Sequence, residues 1–103
     1  MSLTLVEINT QITEGTQLLA PQLRAWVDAH LIAPREVRLS VDPYGTSFTE
    51  VWLVTDHTGV NDSNYRIVYD REWCEFGLER TMDNGVEWYM GTCGSFAKTV
   101  EKM

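Results

Sequence analysis

The spacing of apolar and polar positions divides the chain at residue 36. Before it, Leu23, Trp26, Val27, His30 and Leu31 follow the i, i+3, i+4, i+7, i+8 stripe of a helix with one buried face. Pro21 suits the first turn of that helix, where its missing N–H leaves no bond unmade. Pro34 steers its predecessor out of the helical region, so the helix is expected near 17–31. Upstream, Leu5, Ile8 and Ile12 suit a helix ending at Gly15, whereas Thr4, Val6 and Ile8 suit a strand. The helix is the preferred reading.

From residue 36 the period becomes two: Val37, Leu39 and Val41 alternate with Glu36, Arg38 and Ser40. Asp42-Pro43-Tyr44-Gly45 has the residue order of a type I turn. Strands are expected near 36–41, 48–55, 64–70, 73–81 and 86–90, with a surface loop of turn-forming residues over 56–64. Helical spacing returns at Phe96, Thr99, Val100 and Met103, with Ser95 placed to cap a helix near 95–102. The expected fold is therefore α+β in a single domain, 1–103. Its order is an N-terminal helix or helices, an antiparallel meander of about five strands, and a short C-terminal helix.

Two hairpins can be registered. A two-residue turn at Arg71-Glu72 sets Tyr69 opposite Cys74, Ile67 opposite Phe76 and Tyr65 opposite Leu78, gathering apolar residues on one face. A three-residue loop of Asp83, Asn84 and Gly85, with Gly85 in the left-handed position of a bulge, aligns Val86, Trp88 and Met90 with Leu78 and Met82. A two-residue Asn84-Gly85 turn would turn those apolar residues to the opposite face.

These registers leave Val68, Asp70, Arg66, Trp73, Glu75, Glu79, Glu87 and Tyr89 on the side away from the core, with a gap at Gly77. If Val51 and Leu53 point to the core, Phe48, Glu50, Trp52 and Val54 join them. Aromatics interleaved with charges make a contact surface, because Trp and Tyr offer large area at small entropy cost. The candidate binding residues are Trp52, Arg66, Trp73, Glu75, Glu79, Glu87 and Tyr89. The bland alternative is that a helix covers them.

Charge sharpens this picture. The chain carries 15 acids against 8 bases, a net charge of −7, which offers no footprint for nucleic acid or an anionic membrane surface and favours a basic protein partner. Between residues 70 and 87 six acids face only Arg71 and Arg80. No apolar run approaches the length of a membrane span, and Glu7 sits where a signal peptide would be apolar. Two cysteines make no disulfide framework, which points to a reduced, cytoplasmic setting.

Catalytic signals are few. Cys93 stands just ahead of a helix start, where unpaired N–H groups favour a thiolate. Cys93-Gly94-Ser95 resembles the cysteine signature of papain-like proteases, in which a glycine and a serine follow the nucleophile. Phe96 stands where that family usually has a second cysteine, and only ten residues follow Cys93 where the family's histidine should lie far downstream. His30 and His57 are the available bases. Asp56, Asn61, Asp62 and Asn64 offer oxygen ligands without the alternation of a calcium loop, and Cys74, His57 and Cys93 are too few for a zinc site. No cofactor fingerprint is present, so no catalytic residue, metal or cofactor is assigned.

The expected function is a non-enzymatic, protein-binding module that holds a basic partner. By size and charge it is comparable to nuclease-neutralising immunity proteins or small secretion chaperones. The alternatives are a self-associating domain whose Trp-bearing face meets its own copy as a homodimer, and an enzyme using Cys93.

Overall fold

The computed structural model describes residues 3–56 and 65–103. Helix α1 spans Leu3–Gln17 and α2 spans Pro21–His30, followed by strands β1 (Leu31–Ser40), β2 (Phe48–Thr55), β3 (Tyr65–Asp70), β4 (Glu75–Thr81) and β5 (Glu87–Gly94), then α3 (Phe96–Glu101). Consecutive strands pair antiparallel throughout, so the α+β meander is the architecture of the protein. No helix among the described residues is long and apolar enough to cross a membrane.

The N-terminal segment resolves as helix because Ile8 and Ile12 fall on one face and are both buried. Pro21 opens α2, and Leu31 already has extended backbone, so α2 passes directly into β1. The strand therefore starts five residues before the expected 36. Pro34 did not end a structured segment; it sits where the β1–β2 register shifts between Leu31 and Arg35, a place where an absent N–H breaks no ladder bond. Ser95 caps α3 as expected, its hydroxyl accepting from the Lys98 N–H at 3.3 Å.

The Asp83-Asn84-Gly85 loop is present. Met82 N–H donates to Val86 O, Gly85 has φ +85°, and Arg80 stands opposite Trp88. The other hairpin is corrected: its loop has four residues, 71–74, so Tyr69 faces Phe76 and Ile67 faces Leu78. A shift of two residues keeps every side chain on its expected face, which is why the apolar pattern could not choose between these loops. It does expel Trp73 and Cys74 from the strand into the turn, and both are exposed.

The sheet does not stay open. Its first and last strands meet in parallel at Ser40 and Trp88, closing the five strands into a small barrel. Helices cover one outer side, where Ile8, Ile12, Val27, Phe96 and Val100, with Leu19 from the link between α1 and α2, pack on Val54, Ile67, Tyr69, Phe76 and Leu78. Phe76 meets Tyr69 and Phe96 edge-on at centroid distances of 5.0 and 5.2 Å. The barrel interior holds a second cluster of Leu39, Val51, Leu53, Val68 and Tyr89. Gly77 makes room inside, since a Cβ there would lie 2.3 Å from the Gly91 carbonyl oxygen and 2.9 Å from the Tyr89 ring.

Candidate functional site

The face expected to be open is the lining of the barrel. Arg66, Glu79 and Tyr89 are buried there by curvature of the sheet itself, with no helix laid over them. Arg66 Nε donates to Glu79 Oε2 at 2.6 Å and its Nη2 donates to Glu87, while Thr81 Oγ1 donates to the other Glu79 oxygen at 3.1 Å. Burial pulls the Arg66 guanidinium down, but the hydrogen bonds and charges of Glu79 and Glu87 outweigh it and leave it raised. Tyr89 Oη donates to Asp70 Oδ2 at 2.8 Å, and burial first, then that carboxylate, pushes the phenol far above its ordinary value. These groups satisfy one another. A residue as enclosed as Glu79, at 0% exposure, presents nothing to a macromolecule.

The seven residues named from the sequence thus separate. Arg66, Glu79 and Glu87 form one ionic cluster, of which only Glu87 reaches the surface, its side chain 47% exposed. Glu75, half-buried, lies close enough to bear on Tyr89. Trp52 stands opposite Tyr69 and packs on the helix-covered core, so the assignment of Trp52 to the same face as Glu79 is corrected. Val51 and Leu53 are buried as expected, but inside the barrel beside Val68. Trp73 is 66% exposed at the tip of the 71–74 hairpin and is not part of the sheet face.

A different surface gathers exposed aromatic residues. On the outer side of the β1–β5 seam, Ser40 has Phe48 on one flank and Trp88 on the other, and Val86 touches the Gly45 position of the neighbouring hairpin. Tyr44 projects from that hairpin at 79% exposure, with Phe48 and Met90 about half exposed beside the seam. The Arg38 guanidinium lies over the Phe48 ring, 4.7 Å from its centroid. Asp42 organises the turn: its carboxylate accepts from Tyr44 N, Thr46 N, Thr46 Oγ1 and Ser47 N at 2.7–3.3 Å. The Thr46 hydroxyl foremost, and the backbone N–H groups after it, hold the Asp42 carboxyl down at about 2. Asp42 lies in the turn itself, Arg38 and Glu50 stand opposite each other along the same strand pair, and Arg80 stands opposite Trp88.

The sequence pointed to this turn through Asp42-Pro43-Tyr44-Gly45, but Tyr44 was not singled out. A carboxylate followed by Thr46 and Ser47 was the available signal, because Asp caps turns through its own side chain. Its position against Val86 depends on barrel closure.

Cys93 lies within β5, half-buried against the helix-side core, ahead of a helix of only six residues. His30 Nδ1 is 2.8 Å from Asp56 Oδ1, and its ring lies tilted by 32° against Trp26 at a centroid distance of 5.0 Å. His57, Asn61, Asp62 and Asn64 lie outside the described residues. Among the described residues no group of three or more His, Cys, Asp or Glu side chains is arranged to hold a metal ion. The chain matches no protein-family model, no curated protein and no solved structure.

Proposed function

We propose that the protein is a binding module for a basic protein partner, and that its contact surface is the seam patch of Tyr44, Phe48, Val86, Trp88 and Met90. The observation that carries this reading is the display of Tyr44, largely exposed on a turn whose geometry is set by four groups donating to one carboxylate. A rigid aromatic side chain loses little entropy on association, which is what makes such residues anchors. The net charge of −7 supplies the long-range complementarity that draws in a cationic surface and speeds encounter. An inhibitor or chaperone of a basic protein would use such a surface. The two free cysteines, one of them exposed, suit the reducing cytoplasm.

The test is capture from native cells with the wild-type chain, followed by titration of the retained protein. Tyr44→Ala should weaken binding by about 2 kcal/mol, as loss of an aromatic anchor does, and the association rate should fall with added salt. A partner bound equally by Tyr44→Ala and wild type sinks the assignment of this surface. Sedimentation of the pure protein at rising concentration distinguishes a homodimer formed through the same patch.

A further inference from the structure

The Asp83-Asn84-Gly85 loop brings three features together at Asn84. All three residues are exposed, so water reaches the Asn84 side-chain amide. Gly85, which follows it, has φ +85° and open space where a Cβ would stand, so no side chain screens its nitrogen. The Val86 N–H donates to Asn84 Oδ1 at 3.0 Å, which folds the side chain back over the Gly85 peptide. That donor is aimed at the oxygen on which negative charge develops when the Gly85 nitrogen attacks Asn84 Cγ, the arrangement that stabilises a tetrahedral intermediate. One contact opposes the attack: the Gly85 N–H donates to Met82 O at 2.9 Å. It lies at the exposed end of a hairpin, where such bonds open most readily.

We propose that Asn84 is a self-modification site, at which the chain's own backbone converts the amide to a carboxylate. The Gly85 nitrogen gives its proton to hydroxide and bonds to Asn84 Cγ. The side-chain nitrogen takes a proton from water and leaves as ammonia, so a five-membered imide joins the two residues. Water then opens one C–N bond of the imide. Cleavage at Cγ gives aspartate on a normal backbone, and cleavage at the main-chain carbonyl gives isoaspartate, with the chain running through the former side chain. Each conversion consumes one water and releases one ammonia, and nothing is oxidised or reduced. The two products differ in what they do to the hairpin. Aspartate keeps an acceptor for the Val86 N–H. Isoaspartate adds a methylene to a three-residue loop closed by Met82 N–H to Val86 O at 2.8 Å, and so disrupts that closure. Either product places a further negative charge next to Asp83. Asn9 provides the contrast, being equally exposed but held within α1 and followed by β-branched Thr10. This inference is independent of whether the seam patch binds a partner.

The experiment incubates the purified full chain at mildly alkaline pH and follows each asparagine by peptide mass spectrometry, with aspartate and isoaspartate separated by chromatography. Asn84 should convert at least about tenfold faster than Asn9, because only Asn84 precedes a residue without a Cβ. Gly85→Ala should slow conversion about tenfold, since its Cβ shields the attacking nitrogen, and the same comparison in urea serves if the variant perturbs folding. The native chain should convert Asn84 within about threefold of the urea-unfolded chain, the Val86 donor offsetting the Met82 bond. Asn84→Asp should melt like wild type, whereas the isolated isoaspartate fraction should melt at a lower temperature. Conversion of Asn84 no faster than of Asn9, an unchanged rate in Gly85→Ala, or a native rate more than about tenfold below the unfolded one would overturn the proposal.

Discussion

The two sides of the five-stranded sheet are both buried, yet by different chemistry. The helix-covered side is built from Val54, Ile67, Tyr69, Phe76 and Leu78 against Ile8, Val27, Phe96 and Val100, and its stability comes from apolar area removed from water. The inner side combines Leu39, Val51, Leu53 and Val68 with Arg66, Glu79, Asp70 and Tyr89, each polar group paired within the barrel. A helix can shield a face only if that face is apolar, since its own side chains bring few partners for charge. Curvature brings strands opposite one another, so an ion pair between neighbours can be enclosed with both partners in place. The comparison teaches that aromatic and charged residues alternating along a strand do not by themselves mark an exposed surface.

Truncation on the helix side should have the largest effect. Phe76→Ala removes the ring shared by Tyr69 and Phe96, and should cost about 4 kcal/mol in urea unfolding. That is a large share of the stability of a domain this size.

Inside the barrel the pair matters more than either member. Arg66→Met leaves Glu79 charged and enclosed, and should cost about 3 kcal/mol, whereas Arg66→Met with Glu79→Leu should cost clearly less, because no charge is then stranded. If the double variant loses as much as the two single losses added together, the enclosed pair is not the organising feature of the inner side.

The tyrosines give the finest contrast. Tyr89→Phe removes the donor to Asp70 and should cost about 1 kcal/mol, while Tyr69→Phe, deleting a hydroxyl without a partner, should be close to neutral. Parallel thermal melts of the two variants measure the difference, and equal losses would erase the distinction between the faces.

Much of the fold was legible before any coordinates. Local rules identified Pro21 as a first-turn residue, the Ser95 cap and the Gly85 loop, because each depends on backbone geometry within a few residues; the helix expected from about 17 begins only at Pro21, since Gln17 still belongs to α1. Pro34 misled, since a proline can stop a helix or occupy a strand irregularity, and only the partner strand distinguishes them. The 71–74 loop misled for another reason: two registers that differ by two residues bury the same side chains. Of the seven residues expected to bind, Arg66, Glu79 and Tyr89 were recognised as a face but assigned to the wrong environment.

What the amino-acid sequence determined by itself was periodicity, and with it the order of elements, their antiparallel succession and which side chains share a side of the sheet. Tertiary structure alone decided that the inner side would be closed off. That outcome rests on the meeting of Ser40 and Trp88, residues 48 positions apart, and on the room that Gly77 leaves for the Gly91 carbonyl. Alternation reports that two sides of a strand differ, but not what will stand opposite each of them. Opposition is set by sheet twist and curvature summed over all five strands. The same closure brought Val86 against the turn that displays Tyr44, so the surface proposed for binding exists only because the barrel exists.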